Sequence, residues 1–180
     1  RDRVRAAAEA AGRTGDEVKI VAVTKNAAPE EIMVAYNAGQ RRFGENRVQD
    51  LTAKAAALPS DIEWHFIGHL QSNKVRDAIL SSALIHSVDS VKLLDRINAI
   101  AEELHTVQYI LLQANISGEA TKFGATRREI VALAERAVDL KNVFCAGFMT
   151  MAPYGATDEE LEHIFSSLWS IRDFMRERHA

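Results

Sequence analysis

The chain has 180 residues, 47% of them hydrophobic, which is enough for one domain with a substantial buried core. Its formal net charge of -3 and its pI near 6.1 give no electrostatic case for a nucleic-acid partner. No apolar stretch is long enough to span a membrane. The single cysteine, Cys145, excludes an internal disulfide and predicts a protein of the reducing cytoplasm.

Six short apolar runs, rich in β-branched residues and flanked by Gly, Asn or Pro, have the composition of β-strands. In chain order the predicted strands are Lys19–Thr24, Arg41–Gly44, Ile62–Gly68, Leu84–Val88, Val107–Ile116 and Val143–Thr150. The first five begin about 22 residues apart, which is close to the length of one short strand–helix unit. The spacing predicts a repeated architecture without a repeated sequence.

The segments between these strands carry helix signals. Pro29 is placed to open a helix and Gly39 to end it. Thr126 and Thr157 are each followed by Glu three residues later, a capping box that predicts a helix start. Apolar residues at helical spacing predict two further helices, over Val4–Ala11 and Leu93–Leu104.

Alternating strands and helices predict a parallel sheet covered by helices, either an open doubly wound sheet or a barrel. The first strand is not followed by the Gly-x-Gly-x-x-Gly pattern of dinucleotide-binding open sheets. Polar residues stand instead at many strand ends, which is typical of TIM barrels. These residues are Lys25, Glu45, Asn46, His69, Asp89, Asn115, Ser117 and Thr150.

The predicted fold class is therefore α/β, of the (β/α)8 TIM-barrel type. Such a barrel has eight strands, whereas about six strand–helix units are predicted in this chain. We expect residues 1–180 to form a single domain, truncated after about six units relative to a complete barrel.

Lys25 ends the first predicted strand, where an apolar run stops at a single amine. Barrels keep their chemistry at the carboxyl ends of the strands. An amine in such a place can add to a carbonyl and form a Schiff base. The alternative is a solvated surface lysine that begins a loop.

Five segments together carry a family resemblance: Ala22–Lys25, Phe43–Asn46, Trp64–Lys74, Gln113–Ser117 and Gly147–Pro153. In order and spacing, from about Val4 to about Arg178, the chain closely resembles the pyridoxal phosphate homeostasis proteins. The resemblance implies a barrel like the cofactor domain of alanine racemase. It also implies pyridoxal 5'-phosphate held as a Schiff base on Lys25.

The resemblance implies a role in vitamin B6 and amino-acid homeostasis without established catalysis. The partners implied are the cofactor and apo-enzymes that receive it, with the protein a monomer or a homodimer. Two alternatives stay open: an amino-acid racemase that uses the same cofactor, and a cofactor-free, aldolase-like barrel that uses Lys25 on sugar carbonyls.

Six residues are predicted to bind the cofactor: Lys25, Asn46, His65, Asn115, Ser117 and Met149. Asn115 and Ser117 end a strand and face the same predicted rim, whereas the other three residues, like Lys25, have a structural alternative. Asn46 can be a turn residue that bonds its own backbone, and His65 a satisfied core histidine. Met149 can be core filler rather than a contact of the pyridine ring.

Two further residues near the predicted rim are considered. Lys122, with Gly124, resembles a Lys-x-Gly element of the family and would bring a second cation near the site. The alternative is a mobile loop charge. His69, at a strand end, can reach the site or be a simple loop histidine.

The main departure from the family lies at the C-terminus. Members continue with two further strands, and with serine- and glycine-containing segments that bind the cofactor phosphate. In barrels generally, phosphate is often held by the loops after the last two strands. We therefore expect a truncated chain, or weak cofactor affinity if the chain is complete.

Overall fold

The structure, a computed structural model, describes residues 1–118 and 123–179. The strands are β1 (Ala22–Val23), β2 (Arg42–Glu45), β3 (Glu63–Phe66), β4 (Leu84–Val88), β5 (Gln108–Gln113) and β6 (Val143–Met149). The helices are α1 (Asp2–Ala10), α2 (Pro29–Asn37), α3 (Val48–Ala57), α4 (Val75–Ser81), α5 (Val91–Glu103), α6 (Arg127–Val138) and α7 (Asp158–Arg178). Two short 3-10 turns lie at Gly15–Glu17 and Ser72–Lys74.

The strands form a six-stranded sheet whose spatial order, β1 to β6, is the order of the chain. Every pair of neighbours is parallel. A doubly wound sheet reverses its strand order at a switch point, and this sheet has no such reversal in the parts of the chain described. The continuous progression is that of a barrel wall, which confirms the predicted α/β barrel type.

One face of the sheet is packed against the helices and forms the hydrophobic core. Phe43, Phe66, Ile85 and Ile110 point into it from four strands and are almost fully buried. A buried stripe of α5, including Leu94, covers this face. Helices on one face and carboxyl ends aligned at one edge leave that edge free to carry a site.

The opposite, inner face carries a row of side chains set by the strand register. The row runs from β1 to β6 through Val23, Gly44, His65, Leu84, Tyr109 and Phe144. Tyr109 and Phe144 are half exposed, and their ring centroids lie 4.9 Å apart. Side chains on neighbouring parallel strands in register share a face, so His65 points into the interior of the barrel wall.

Both predicted capping boxes are confirmed. The side chain of Thr126 accepts from the Glu129 amide, and that of Thr157 accepts from the Glu160 amide. The predicted helix that begins at Pro29 is also confirmed.

The predicted bounds of the first strand are wrong, because β1 covers only Ala22–Val23. It pairs with β2 alone in the described sheet, so few of its backbone groups are held in a ladder. The fifth strand is also shorter than predicted, since β5 ends at Gln113 and the chain then turns.

No helix in residues 1–118 and 123–179 combines the length and apolar character that crossing a bilayer demands.

Candidate functional site

A cavity of about 340 Å³ lies at the carboxyl ends of the strands. Loops after β1, β2, β3, β5 and β6 contribute to it, as the barrel prediction requires. Its described lining residues are Val23, Lys25, Asn46, Ile67, Gly68, His69, Gln113, Ala114, Asn115, Phe123 and Met151. The volume is at the lower end of the range for small-molecule sites, about 300–1,000 Å³.

Lys25 lies in a tight turn directly after β1. The turn is closed by the Ala27 amide, which donates to the Thr24 carbonyl oxygen at 2.9 Å. Thr24 is buried, whereas Lys25 is exposed and lines the cavity. The sequence change from apolar strand to turn therefore delivers one amine to the mouth of the cavity.

Asn46 reaches the cavity because β2 and β3 come unusually close at their ends. A Cβ atom added to Gly68 would lie 2.0 Å from the Asn46 carbonyl oxygen, so only glycine fits there. Both residues line the cavity. Gly68 therefore allows the ends of β2 and β3 to approach closely, and this approach brings Asn46 to the cavity.

The chain after β5 forms the opposite wall. The Asn115 amide donates to Ala125 O at 2.9 Å, and the Gln113 side chain donates to Phe123 O at 3.0 Å. Gly124 has φ +128°, and a Cβ atom there would lie 2.6 Å from Asn115 N. These contacts hold Phe123 and Asn115 beside one another at the cavity.

His69 and Phe123 form an aromatic wall of the cavity. Their rings are stacked, with centroids 4.3 Å apart and an interplanar angle of 17°. His69 Nδ1 also lies 3.9 Å from an Asp89 carboxylate oxygen at the end of β4. The wall offers a flat surface against which a planar ligand can pack.

Three of the six predicted cofactor-binding residues meet at this cavity, namely Lys25, Asn46 and Asn115. Ser117 lies beside the rim, where its hydroxyl donates to Asn115 Oδ1 at 3.3 Å. Met149 shares the inner face with Gln113, its register partner on β5, but it is not among the residues that line the cavity.

His65 lies deeper than the cavity, in the middle of β3. Its ring contacts His86 on β4 and the Glu63 carboxylate, and its side chain is almost fully buried. This is the position expected of a satisfied core histidine, the alternative considered for it. Lys122 lies outside the described residues.

Several lining residues were not among the predicted ligands. His69 had the strongest signal, because it stands at a strand end within the Trp64–Lys74 segment. Gln113 and Met151 also lie within the Gln113–Ser117 and Gly147–Pro153 segments, whereas Phe123 had no signal, since periodicity does not reveal which loop side chains converge.

A smaller cavity of about 190 Å³ adjoins the first. It shares Asn46 and His69 with the Lys25 cavity and adds the cationic side chains of Arg47 and Lys74. Arg47 and Lys74 thus place positive charge in the adjoining cavity, and neither is among the described residues that line the larger one.

The chemistry available at the larger cavity is narrow. Lys25 is the only lysine or arginine among its described lining residues. Within residues 1–118 and 123–179 no cluster of His, Cys, Asp and Glu is suited to a metal ion. An accessible amine beside amides and a flat aromatic wall is suited to a planar carbonyl compound.

The comparisons with known proteins point to one family. The model of the family described as alanine racemase, N-terminal domain, matches residues 1–179. The pyridoxal phosphate homeostasis protein of Aquifex aeolicus is 38% identical over 179 residues, which cover 99% of this chain and 78% of the relative. That of Vibrio alginolyticus is 40% identical over 168 residues, covering 89% of this chain and 71% of the relative.

Solved structures give the same result. PipY of Synechococcus elongatus, determined with pyridoxal phosphate bound, superposes with a TM-score of 0.84 at 35% identity, covering 96% of this chain and 81% of PipY. Alanine racemase of Streptomyces coelicolor shares the fold, with a TM-score of 0.75 at 17% identity, covering 97% of this chain and 48% of the racemase. The chain belongs to the pyridoxal phosphate homeostasis protein family, which has the fold of the alanine racemase N-terminal domain.

Proposed function

We propose that this chain binds pyridoxal 5'-phosphate in the Lys25 cavity, with the cofactor held as a Schiff base on Lys25 Nζ. The observation that carries the proposal is the position of Lys25, an exposed amine in the turn after β1 that lines the cavity. PipY, a relative of high structural similarity, has pyridoxal phosphate bound.

The residues of the cavity fit this cofactor. Its aldehyde needs an amine, which Lys25 supplies. Its pyridine ring needs a flat apolar wall, which the stacked rings of His69 and Phe123 supply. Its ring oxygen needs a hydrogen-bond donor, and the amides of Asn46 and Asn115 are the candidates among the lining side chains.

Ser117 and Met149 complete the proposed set of cofactor-binding residues, although neither is among the described residues that line the cavity. Ser117 acts on the cofactor through Asn115, whose side-chain oxygen accepts its hydroxyl. Met149 lies on the inner face beside Gln113, below the cavity. For His65 we propose a supporting role, since its ring is engaged by His86 and Glu63 rather than directed at Lys25.

The proposed role is storage and delivery of the cofactor in vitamin B6 and amino-acid homeostasis, without catalytic turnover. Racemisation needs proton donors on both faces of the substrate carbon. Among the described residues that line the cavity, His69 is the only ionisable side chain besides Lys25, which the cofactor occupies in this proposal. The proposed setting is the cytoplasm, with apo-enzymes as recipients and a monomer or homodimer as the working form.

Absorbance titration with pyridoxal phosphate tests the proposal. The unmodified chain is expected to develop the absorbance of a Schiff base with saturation at one equivalent. Lys25→Arg keeps the charge but cannot form this bond, so the signal should vanish. Lys92→Arg, at an exposed position on α5, is the matched control and should titrate like the unmodified chain. Equal signals from Lys25→Arg and the unmodified chain would contradict the proposal.

A second measurement separates a carrier from a racemase. The chain is incubated with pyridoxal phosphate and L-alanine in deuterium oxide, and exchange at the α-carbon is followed by mass spectrometry. A carrier is expected to give no exchange above the rate of free pyridoxal phosphate. Exchange at a rate that depends on Lys25 would favour the racemase.

A further inference from the structure

The residue that precedes Lys25 is held unusually firmly. The Thr24 amide donates to the Gly44 carbonyl oxygen at 2.9 Å, and the Thr24 carbonyl oxygen accepts from the Ala27 amide at 2.9 Å. Thr24 is only 6% exposed, although the lysine that follows it is exposed. The backbone of Lys25 thus begins from a fixed point.

A buried ion pair adds to this fixation from the helix side of the sheet. Glu45 is 0% exposed in its side chain and Lys54, on α3, only 13% exposed, and their charged atoms lie 2.7 Å apart. Both side chains also form hydrogen bonds with Thr24. Glu45 Oε1 accepts the Thr24 hydroxyl at 2.6 Å, and Lys54 Nζ donates to the Thr24 carbonyl oxygen at 2.8 Å.

The sheet itself gives this turn little support. Strand β1 has only two residues in register with β2, Ala22 and Val23, and β2 is its only neighbour in the described sheet. A strand of this length is weakly held by its own ladder. The contacts from Glu45 and Lys54 therefore supply a large part of the order in the turn that carries Lys25.

Stability alone is a poor explanation of the pair. Moving two charges out of water is costly, and apolar residues of similar volume often stabilise a protein equally well or better. Within the described residues, Glu45 Oε2 is buried and accepts no hydrogen bond, although Oε1 accepts two. The buried pair thus costs free energy, and its evident effect is to fix the position of Thr24.

We propose that Glu45 and Lys54 are positioning residues for Lys25. By holding both the side chain and the carbonyl of Thr24, they keep the Lys25 amine directed at the cavity before any ligand arrives. The inference rests on the proposed function, because it holds that the contacts of Glu45 and Lys54 with Thr24 serve Schiff-base formation on Lys25. If the turn is competent only part of the time, the apparent affinity falls by that fraction.

The first experiment compares Lys54→Met with Lys92→Met by absorbance titration with pyridoxal phosphate. Methionine keeps an unbranched side chain close in length to the aliphatic part of lysine, but it lacks the ammonium group and donates nothing to Thr24. We expect the dissociation constant of Lys54→Met to rise about tenfold, since a charge-assisted hydrogen bond at the turn is lost. Lys92→Met is expected to match the unmodified chain.

Three further variants keep the test decisive if Lys54→Met folds poorly. Glu45→Gln/Lys54→Met removes the buried carboxylate charge that the single variant leaves unpaired. Thr24→Val removes only the hydroxyl that Glu45 accepts, and Thr24→Ser restores it. We expect weaker binding from the double variant and from Thr24→Val, and a return towards normal from Thr24→Ser. Circular dichroism establishes that each variant is folded at the temperature of the titration.

Hydrogen exchange of the Ala27 amide supplies a readout without cofactor, because this amide donates to the carbonyl that Lys54 holds. We expect exchange to accelerate about tenfold in Lys54→Met and in the double variant. Folded variants that bind pyridoxal phosphate as tightly as the unmodified chain would overturn the inference.

If the unmodified chain does not bind pyridoxal phosphate, the proposed function fails and hydrogen exchange alone decides the inference. Unchanged exchange at Ala27 would then overturn it, and faster exchange would support the positioning of the Lys25 turn.

Discussion

His65 Nδ1 lies 2.7 Å from His86 Nε2, so one hydrogen bond joins two imidazole rings on adjacent strands of the inner face. One nitrogen of that bond must accept, so at least one ring is neutral. The other nitrogen of His65, Nε2, lies 3.1 Å from Glu63 Oε1, which Arg42 also contacts at 3.0 Å. A polar chain thus crosses three strands below the Lys25 cavity.

The two buried histidines of this hydrogen-bonded row predict that the protein loses stability in mild acid. Burial, and to a smaller extent the charge of the neighbouring His65, together lower the pKa of His86 from 6.5 to about 4. Burial also lowers the pKa of His65, against the opposing effect of Glu63. Both rings therefore bind protons more readily in the unfolded chain, so stability falls as the pH drops from about 6.5 towards about 4.

The expected loss from His86 between pH 7 and pH 5 is on the order of 2 kcal/mol in the free energy of unfolding. Urea denaturation at the two pH values measures it. His86→Gln keeps a polar partner for His65 and should remove much of the pH dependence, whereas His163→Gln, at an exposed position of α7, should not. Equal pH dependence in both variants would contradict the assignment.

Gly68→Ala is expected to damage the site and the fold together. The added Cβ would lie 2.0 Å from a backbone atom, the Asn46 carbonyl oxygen, which cannot move without shifting the end of β2. The expected cost is about 1–3 kcal/mol in the free energy of unfolding. Gly44→Ala is the matched control, because its nearest neighbours are side-chain atoms of Ile67 and Val21 at 3.2 Å, which can give way. Denaturation of both variants tests the ranking, and an equal cost would refute it.

Phe123→Ala is expected to weaken binding of pyridoxal phosphate about two- to tenfold, as the loss of one aromatic contact predicts. The ring stacks on His69 and lines the cavity, so its removal takes away part of the flat wall. Phe123→Tyr should preserve the affinity. Phe165→Ala on α7 removes a ring of similar exposure, 51% against 58%, and should leave the affinity unchanged. Loss of affinity in Phe165→Ala as well would show that the effect is not local.

Pyridoxal and pyridoxal phosphate are expected to bind this 180-residue chain with dissociation constants within about fivefold of each other. The reason is the single lysine and absence of arginine among the described lining residues of the cavity. Parallel absorbance titrations with the two aldehydes measure the ratio. A preference for the phosphate of a hundredfold would mean that other cations, such as Arg47 and Lys74 of the adjoining cavity, reach it.

Several helices and the barrel type were predictable because their signals are local. Thr126 and Thr157 cap their helices through residues three positions away, and the strand–helix alternation needs no knowledge of distant contacts. Lys25 could be predicted equally well, since an apolar run that ends in one amine is visible in the sequence. Its position at the cavity follows from the strand direction alone.

Other features depend on contacts between distant residues. The short extent of β1 follows from its pairing with β2, in which only Ala22 and Val23 are in register, and periodicity cannot reveal this. The inward position of His65 follows from its register with Gly44 and Leu84. The hydrogen bonds from Glu45 and Lys54 to Thr24 connect a strand, a helix and a turn, so no sequence motif predicts them.

The central claim is that Lys25 carries the cofactor, and its most direct test is mass spectrometry of a trapped adduct. The chain is incubated with pyridoxal phosphate, reduced with borohydride, and analysed as intact protein and as peptides. Our account predicts one adduct per chain, on the peptide that contains Lys25, and none in Lys25→Arg. No adduct, or adducts spread over exposed lysines such as Lys92, would contradict it.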